Sequence, residues 1–213
     1  SVGEPFADAL DAGDGRSAVD RALRDPPRAE ADIMDAVRYL RGDRPRKVAA
    51  PVAPPGARVA KRNDLGELRW LLLLAERIPA GDALQAADGW AGDAYLVYEA
   101  GGRMCVKADF DGARPAEGDR GAGAVSSQDR MAAALGRWAA TMPAAAGAAV
   151  SRRGALVELA SCDPGPAALS ASGTAGPPPA ESHVDEAMKL LTDRASAFVA
   201  AVDDGEAHVS PRR

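Results

Sequence analysis

"GWAGDAYLVYEAGGRMCVKADF", residues 89–110, decides the fold. Two runs of alternating apolar and polar residues flank Gly101-Gly102. Each run has the period of a strand, and a Gly-Gly pair suits a two-residue primed turn, whose central positions both need positive φ. Folding there pairs Ala100 with Arg103, Tyr98 with Cys105, and Val97 with Val106. One face of the hairpin then carries Tyr95, Val97, Met104, Val106, Ala108 and Phe110, and is expected to meet the core. The other carries Leu96, Tyr98, Cys105, Lys107 and Asp109, and is expected to be mixed and half exposed.

Beyond the hairpin, a glycine-rich loop (111–125) leads to "SSQDRMAAALGRWAATM". There Met131, Leu135, Trp138 and Met142 recur at helical spacing, an amphipathic helix able to cover the core face. "AAVSRRGALVELASC" (148–162) then reads as a second hairpin. Its later strand sends Val157 and Leu159 one way, and Leu156, Glu158, Ala160 and Cys162 the other. The order is strand, strand, helix, strand, strand. The fold class expected is α+β, a small antiparallel sheet packed on helices, with a helical N-terminal segment and a C-terminal helix.

Upstream, "NDLGELRWLLLLAERI" (63–78) reads as a helix with Asp64 as cap and Glu67 completing a capping box. Its apolar residues cover most of the circumference, so it is expected at the centre of the domain. Residues 42–63 are Pro-rich and basic and read as a connector, since proline removes backbone donors and favours extended chain. The first 41 residues read as three helical pieces. The second is capped by Ser17 and stopped by Pro26-Pro27, and the third runs through "RAEADIMDAVRYL". After the sheet, 164–182 reads as a low-complexity linker. A helix over 183–204 follows, capped by Ser182. Its stripe of Val184, Met188, Leu191, Ala195, Phe198 and Val202 fits either docking on its own domain or a coiled-coil seam. The organisation is therefore 1–41 helical, 42–63 connector, 64–163 α+β core, 164–182 linker and 183–204 helix.

The chain has 213 residues, 46% hydrophobic but only 4% aromatic, so its core rests on Ala, Leu and Val around a few large anchors. A net charge of −5 with 27% charged residues argues against a general nucleic-acid or anionic-membrane binder. The longest apolar run, "WLLLLA", falls far short of the roughly 18 residues of a membrane span. No signal peptide opens the chain; if the protein is exported, an anchor or leader has been removed. Its two cysteines, Cys105 and Cys162, both fall on the more polar face of their strands. A shared face favours a disulfide between them over two independent thiols in a reducing cytosol, and a disulfide implies an oxidising compartment. Two cysteines without CxxC spacing make neither a zinc ribbon nor a thioredoxin-like site.

No catalytic constellation, cofactor cradle or metal set is legible. The two histidines, His183 and His208, are too far apart to supply an HExxH pair. His183 and Glu186 lie one helical turn apart in "HVDE", where a first-turn histidine beside acids is ordinarily solvated. GxSxG and GxxxxGK[ST] are both absent. Asp88, Asp93, Asp109 and Asp111 cluster at the hairpin ends, where turn capping accounts for them. Trp90, Gly92, Asp93 and Tyr95 form a structural motif: Gly92 relieves a tight entry and Asp93 can bind local backbone amides.

"DPPRAEADIMDAVRYLRGDRP" (25–45), "LGEL" (65–68) and "AADGWAGDAYLVYEAGGRMCV" (86–106) together resemble the region after the zinc motif in bacterial, actinobacterial-type, exported HExxH metallopeptidase-like proteins. Those proteins carry a Pro-Pro, Thr-Glu-Gln, Leu-His-Pro, Tyr-Leu run and a Gly-Trp-Gly-Gly-Asp-Arg-Tyr run. Pro26, Pro27, Glu30, Ile33, Tyr39 and Leu40 match the first, and Gly89, Trp90, Gly92, Asp93 and Tyr95 the second. The likeness spans roughly residues 5–165. It departs at Met34-Asp35-Ala36, which stands in place of Leu-His-Pro, and the HExxH stretch is absent, so no zinc ligand carries over. The resemblance implies a non-catalytic extracytoplasmic domain of a cell-envelope protein that mediates protein interaction or positioning. The partner expected is an envelope protein, with no nucleic acid, no cofactor, and contact with membrane only through a removed anchor. Two alternatives stand beside it: the downstream half of an active zinc metallopeptidase whose HExxH lies upstream, and a cytosolic helix-mediated interaction module.

Overall fold

In the computed structural model, which describes residues 3–112, 125–165 and 181–203, the Gly101-Gly102 turn forms with φ of 57° and 73° at its two glycines. It joins β2 (Gly92–Ala100) to β3 (Arg103–Asp111). The register is the one the turn dictates: Ala100 opposite Arg103, Tyr98 opposite Cys105, Val97 opposite Val106. β4 (Ala149–Arg153) and β5 (Leu156–Cys162) form the second hairpin, and β5 lies against β3. A fifth strand, β1 (Arg58–Asn63), pairs with β2. All pairings are antiparallel, in the order β1-β2-β3-β5-β4.

β1 corrects the connector reading of 42–63, because the last six residues of that stretch are strand. "RVAKRN" has no proline and ends a Pro-rich run, so its donors are free to join a ladder. The residues before it are not a loose link either. Ala53 and Ala57 pack with Val59 against buried Leu96, Tyr98 and Cys105. This proline-rich strap lies over the sheet face expected to be half exposed. Tyr98 is 6% exposed and Cys105 5%, while Met104 on the expected core face is 42% exposed. Burial therefore differs along the sheet. Near the turn, the Tyr98 face lies under the strap. At the far end the opposite face, with Phe110, Ala108, Val157 and Leu159, is buried as well, together with Ala94 and Asp109 on the Tyr98 face.

That far end meets the helices. The apolar run 63–78 gives a helix, α5 (Glu67–Ala75), shorter than the sequence suggests and followed by α6 (Ala80–Ala87). Trp70, Leu71 and Leu74 of α5 have no exposed surface, and Trp70 meets Phe110 edge-on, 5.7 Å between ring centres. α7 (Ser127–Ala140) buries Met131, Ala134, Leu135 and Trp138 and packs on β4, β5 and α6. Its N-cap, Ser126, accepts from the Asp129 amide, the N3 bond of a capped helix.

The described chain divides into two compact units, one made of 46–184 and the other of the N-terminal 45 residues with the C-terminal helix. In the helical unit, α1 (Gly3–Asp14) and α2 (Arg16–Arg24) meet at Gly15. Gly15 rather than Ser17 caps α2, and the Ser17 hydroxyl donates back to the Asp14 carbonyl. The third expected helix is broken into α3 (Glu30–Met34) and α4 (Ala36–Arg41) by extended Asp35, whose carboxylate accepts from the Val37 amide. Asp35 starts a new helix because capping competes with helix interior for its short acidic side chain. α8 (Val184–Asp203) docks: Phe198 and Val199 pack with Phe6, Leu10, Val37 and Leu40. That settles the docking alternative for the stripe. The glycine-rich loop and the low-complexity linker fall largely outside the described residues.

Cys105 and Cys162 face each other across β3 and β5 and are bonded, with 57 residues of separation. No helix among the described residues is long and apolar enough to cross a membrane. Thiol titration of the denatured, unreduced protein should therefore find no free thiol. Reduction should lower the unfolding free energy by about 4 kcal/mol in the chain-entropy account, read from the shift in denaturant midpoint at constant slope.

Candidate functional site

Gly89, Trp90, Gly92 and Asp93 lie together at one bend, between α6 and the start of β2. Asp88 ends α6 and Gly89 follows, so close to α7 that a Cβ there would collide with the Ser127 side chain. Trp90 is 3% exposed and Asp93 6%. The Asp93 carboxylate accepts from the Trp90 indole N–H at 2.6 Å, from the Leu65 amide at 2.6 Å and from the Gly66 amide at 2.9 Å. Leu65 and Gly66 are the approach to α5, and Gly66 is its N-cap. A helix start leaves amides without intrahelical partners and carries partial positive charge, so a buried carboxylate is well placed there. Asp64, the expected cap, does not fill this role. The carboxylate comes instead from a strand nearly thirty residues onward.

Gly92 has a different reason. A Cβ on it would fall well inside contact distance of the Arg46 carbonyl oxygen. The strap enters at this point, with the Arg46 amide donating to the Ala91 carbonyl at 2.6 Å. Arg46 also pairs with Asp111 at 2.9 Å, and the Ala91 amide donates to the Asp111 carbonyl at 2.9 Å. Tyr95 lies further along β2, partly buried, with the Lys61 ammonium 5.9 Å from its ring centre. Trp90, Gly92 and Asp93 are thus a junction for strap, helix and strand. Arg46 completes it, and no sequence motif distinguished it from the other basic residues of the strap.

The remaining candidates are placed apart. Asp109 is fully buried at the Ala94–Asp109–Glu158 cross-strand row and pairs with Arg153 of β4. Its other carboxylate oxygen has no hydrogen-bond partner. Turn capping does not account for it: it is a buried charge at the sheet's interior. Burial pushes its pKa above the ordinary value; Arg153 opposes this, and Glu158 across the strand adds to it. His183 sits just before α8, where its amide donates to the Ala75 carbonyl. His208 lies outside the described residues. Among the described residues no group of three or more His, Cys, Asp or Glu side chains could hold a metal ion.

No family model matches the chain, and neither a curated protein nor a solved structure matches it significantly.

Two outcomes follow from this geometry. Trp90→Ala should cost about 3–5 kcal/mol as the loss of a buried aromatic, and Asp93→Asn about 3 kcal/mol through mismatched donors at a buried charge-assisted site. Both are read from denaturant unfolding, and an unchanged midpoint would place the pair in solvent. Asp109 gives a pH signature. Its raised folded-state pKa means the folded chain holds that proton more tightly than the unfolded chain does. Its contribution to stability is therefore greatest in acid and is lost as pH rises from about 4 through the folded value. In Asp109→Asn the corresponding fall in stability should disappear.

Proposed function

We propose that this chain is a non-catalytic, extracytoplasmic domain of a metallopeptidase-like cell-envelope protein, serving in protein interaction or positioning. The observation that carries the proposal is the Cys105–Cys162 bridge across neighbouring strands, because structural disulfides persist in oxidising compartments. Support also comes from what the shared motif does. Trp90, Gly92 and Asp93 bind backbone and pack against it, so the likeness to the family concerns scaffold rather than reaction chemistry.

The test is to fuse the complete gene product, including any residues encoded before Ser1, to an alkaline phosphatase that is active only after export. The expected outcome is phosphatase activity with both cysteines oxidised in cells. A silent fusion with both thiols reduced would overturn the assignment and favour the cytosolic interaction module. Metal analysis of the same purified product after dialysis separates the remaining alternative. One zinc per chain, with peptide hydrolysis lost on chelation, would make this the downstream half of an active zinc metallopeptidase.

A further inference from the structure

The helical unit contains a cavity of about 450 Å³ between the end of α2, the α3 start and the end of α4. Its size is that of a small-molecule pocket. One part of its wall is apolar, formed by Pro26, Leu40 and the ring of Tyr39. That ring is held at two points: it meets Phe6 edge-on, 5.7 Å between ring centres, and its hydroxyl donates to the Asp25 carbonyl at 2.7 Å. The rest of the wall is charged. It carries the arginines Arg21, Arg24, Arg28 and Arg44 and the aspartates Asp25, Asp32 and Asp43.

The two signs are not equally satisfied. Asp25 is paired with Arg28 at 2.7 Å. Asp32 is buried, one of its oxygens accepts from the Arg28 and Ala29 amides at 3.1 and 3.2 Å, and the Arg28 guanidinium attracts it as well. Asp43 has a partner of its own. Among the arginines, Arg21 is taken by Asp14 and Arg28 by Asp25. Arg24 donates through Nε to the Asp20 carbonyl at 3.1 Å and meets no carboxylate among the described residues. Arg44 is exposed and makes neither a hydrogen bond nor an ion pair there; its attraction to Asp25 is only long-range.

A cation in the last turn of a helix is favoured by the helix dipole, which accounts for Arg24 at the end of α2. It does not account for Arg44, which follows the left-handed turn at Gly42 (φ 66°) beyond α4 and lines the same cavity. Two guanidinium groups therefore border one cavity without a carboxylate of their own. The planar fork of arginine suits a carboxylate or a phosphate. Two uncompensated charges favour the ligand that neutralises both, and a phosphate monoester carries about −1.5 to −2 at neutral pH. The ring side chains of the apolar wall suit an aromatic body.

We infer that this cavity binds a small phosphate monoester with an aromatic body. Its phosphoryl group lies on Arg24 and Arg44, and its ring against Pro26, Leu40 and Tyr39. The aspartates of the wall, each held by partners of its own, leave those two arginines to the ligand.

Titration calorimetry on the full chain tests this at about pH 7.5, where a phosphate monoester is largely the dianion. The probes are phenyl phosphate, inorganic phosphate, which lacks the ring, and benzoate, which carries a single charge. Phenyl phosphate should bind at one site, with each of the others weaker by about tenfold or more. Arg44→Gln, at an exposed position outside any helix, should weaken phenyl phosphate by about tenfold and retain the circular dichroism of the parent. Arg41→Gln is the control. It removes the same charge from the exposed last residue of α4, outside the cavity wall, and should bind phenyl phosphate as the parent does. Four results would each overturn the assignment: no binding of phenyl phosphate, either other probe binding as tightly, parental binding by Arg44→Gln, or an equal loss in Arg41→Gln.

Discussion

One carboxylate organises the α+β unit. Asp93 is buried and answers three N–H groups, one from a side chain and two from the backbone leading into α5. Without it, the helix that carries Trp70 would begin over an unneutralised set of amides in the interior. The indole of Trp90 would lose its acceptor at the same place. Each of these groups would be expensive to bury alone, and each is inexpensive in company. The sheet, the central helix and the aromatic anchor are therefore fixed to one another by polar contacts. The apolar packing of an alanine-rich chain is then built around that fixed point.

The strap makes a second use of polar anchoring. Its proline-rich composition gives few backbone donors, so it cannot hold itself by a regular ladder. It is pinned at its start by Arg46, through both backbone and guanidinium. At its end it passes into β1, whose pairing with β2 carries a bulge between Val59 and Lys61. Between those points small residues suffice, because Leu96 and Tyr98 supply the apolar surface from below. The bulge and the exposed Arg58 and Arg62 also suit an edge strand, where twist and charge discourage pairing with a second chain.

What was legible in the sequence was local. The Gly-Gly turn fixed the register of β2 and β3, and that register carried the placement of Cys105. Alternation in 156–162 placed Cys162 on a strand, and the 4-3-4 spacing of Met131, Leu135, Trp138 and Met142 marked α7. In the α+β unit the failures came from contacts between distant segments. Hydrophobic alternation named one hairpin face as core, but which face is covered depends on where the strap lies, and a proline-rich stretch carries no periodicity to say so. Asp64 had the better local claim to cap α5, and Asp93 displaced it through tertiary placement alone. The expectation that Asp109 was a turn residue failed for the same reason. Its cross-strand neighbours Ala94 and Glu158, and its ion-pair partner Arg153, come from three other strands. The helical unit shows the reverse: Asp35 is a local signal, a cap inside an apparent helix, that periodicity overrode.

The disulfide also gives the chain a topology. Residues 105–162 form a covalent ring that includes most of β3 and all of α7, β4 and β5. A single break of the backbone anywhere within that ring leaves the protein in one covalent piece. The connection between β3 and α7 can thus be cut, lengthened or replaced without releasing either side of the sheet. A break in the strap, which lies outside the ring, would instead divide the chain into two pieces.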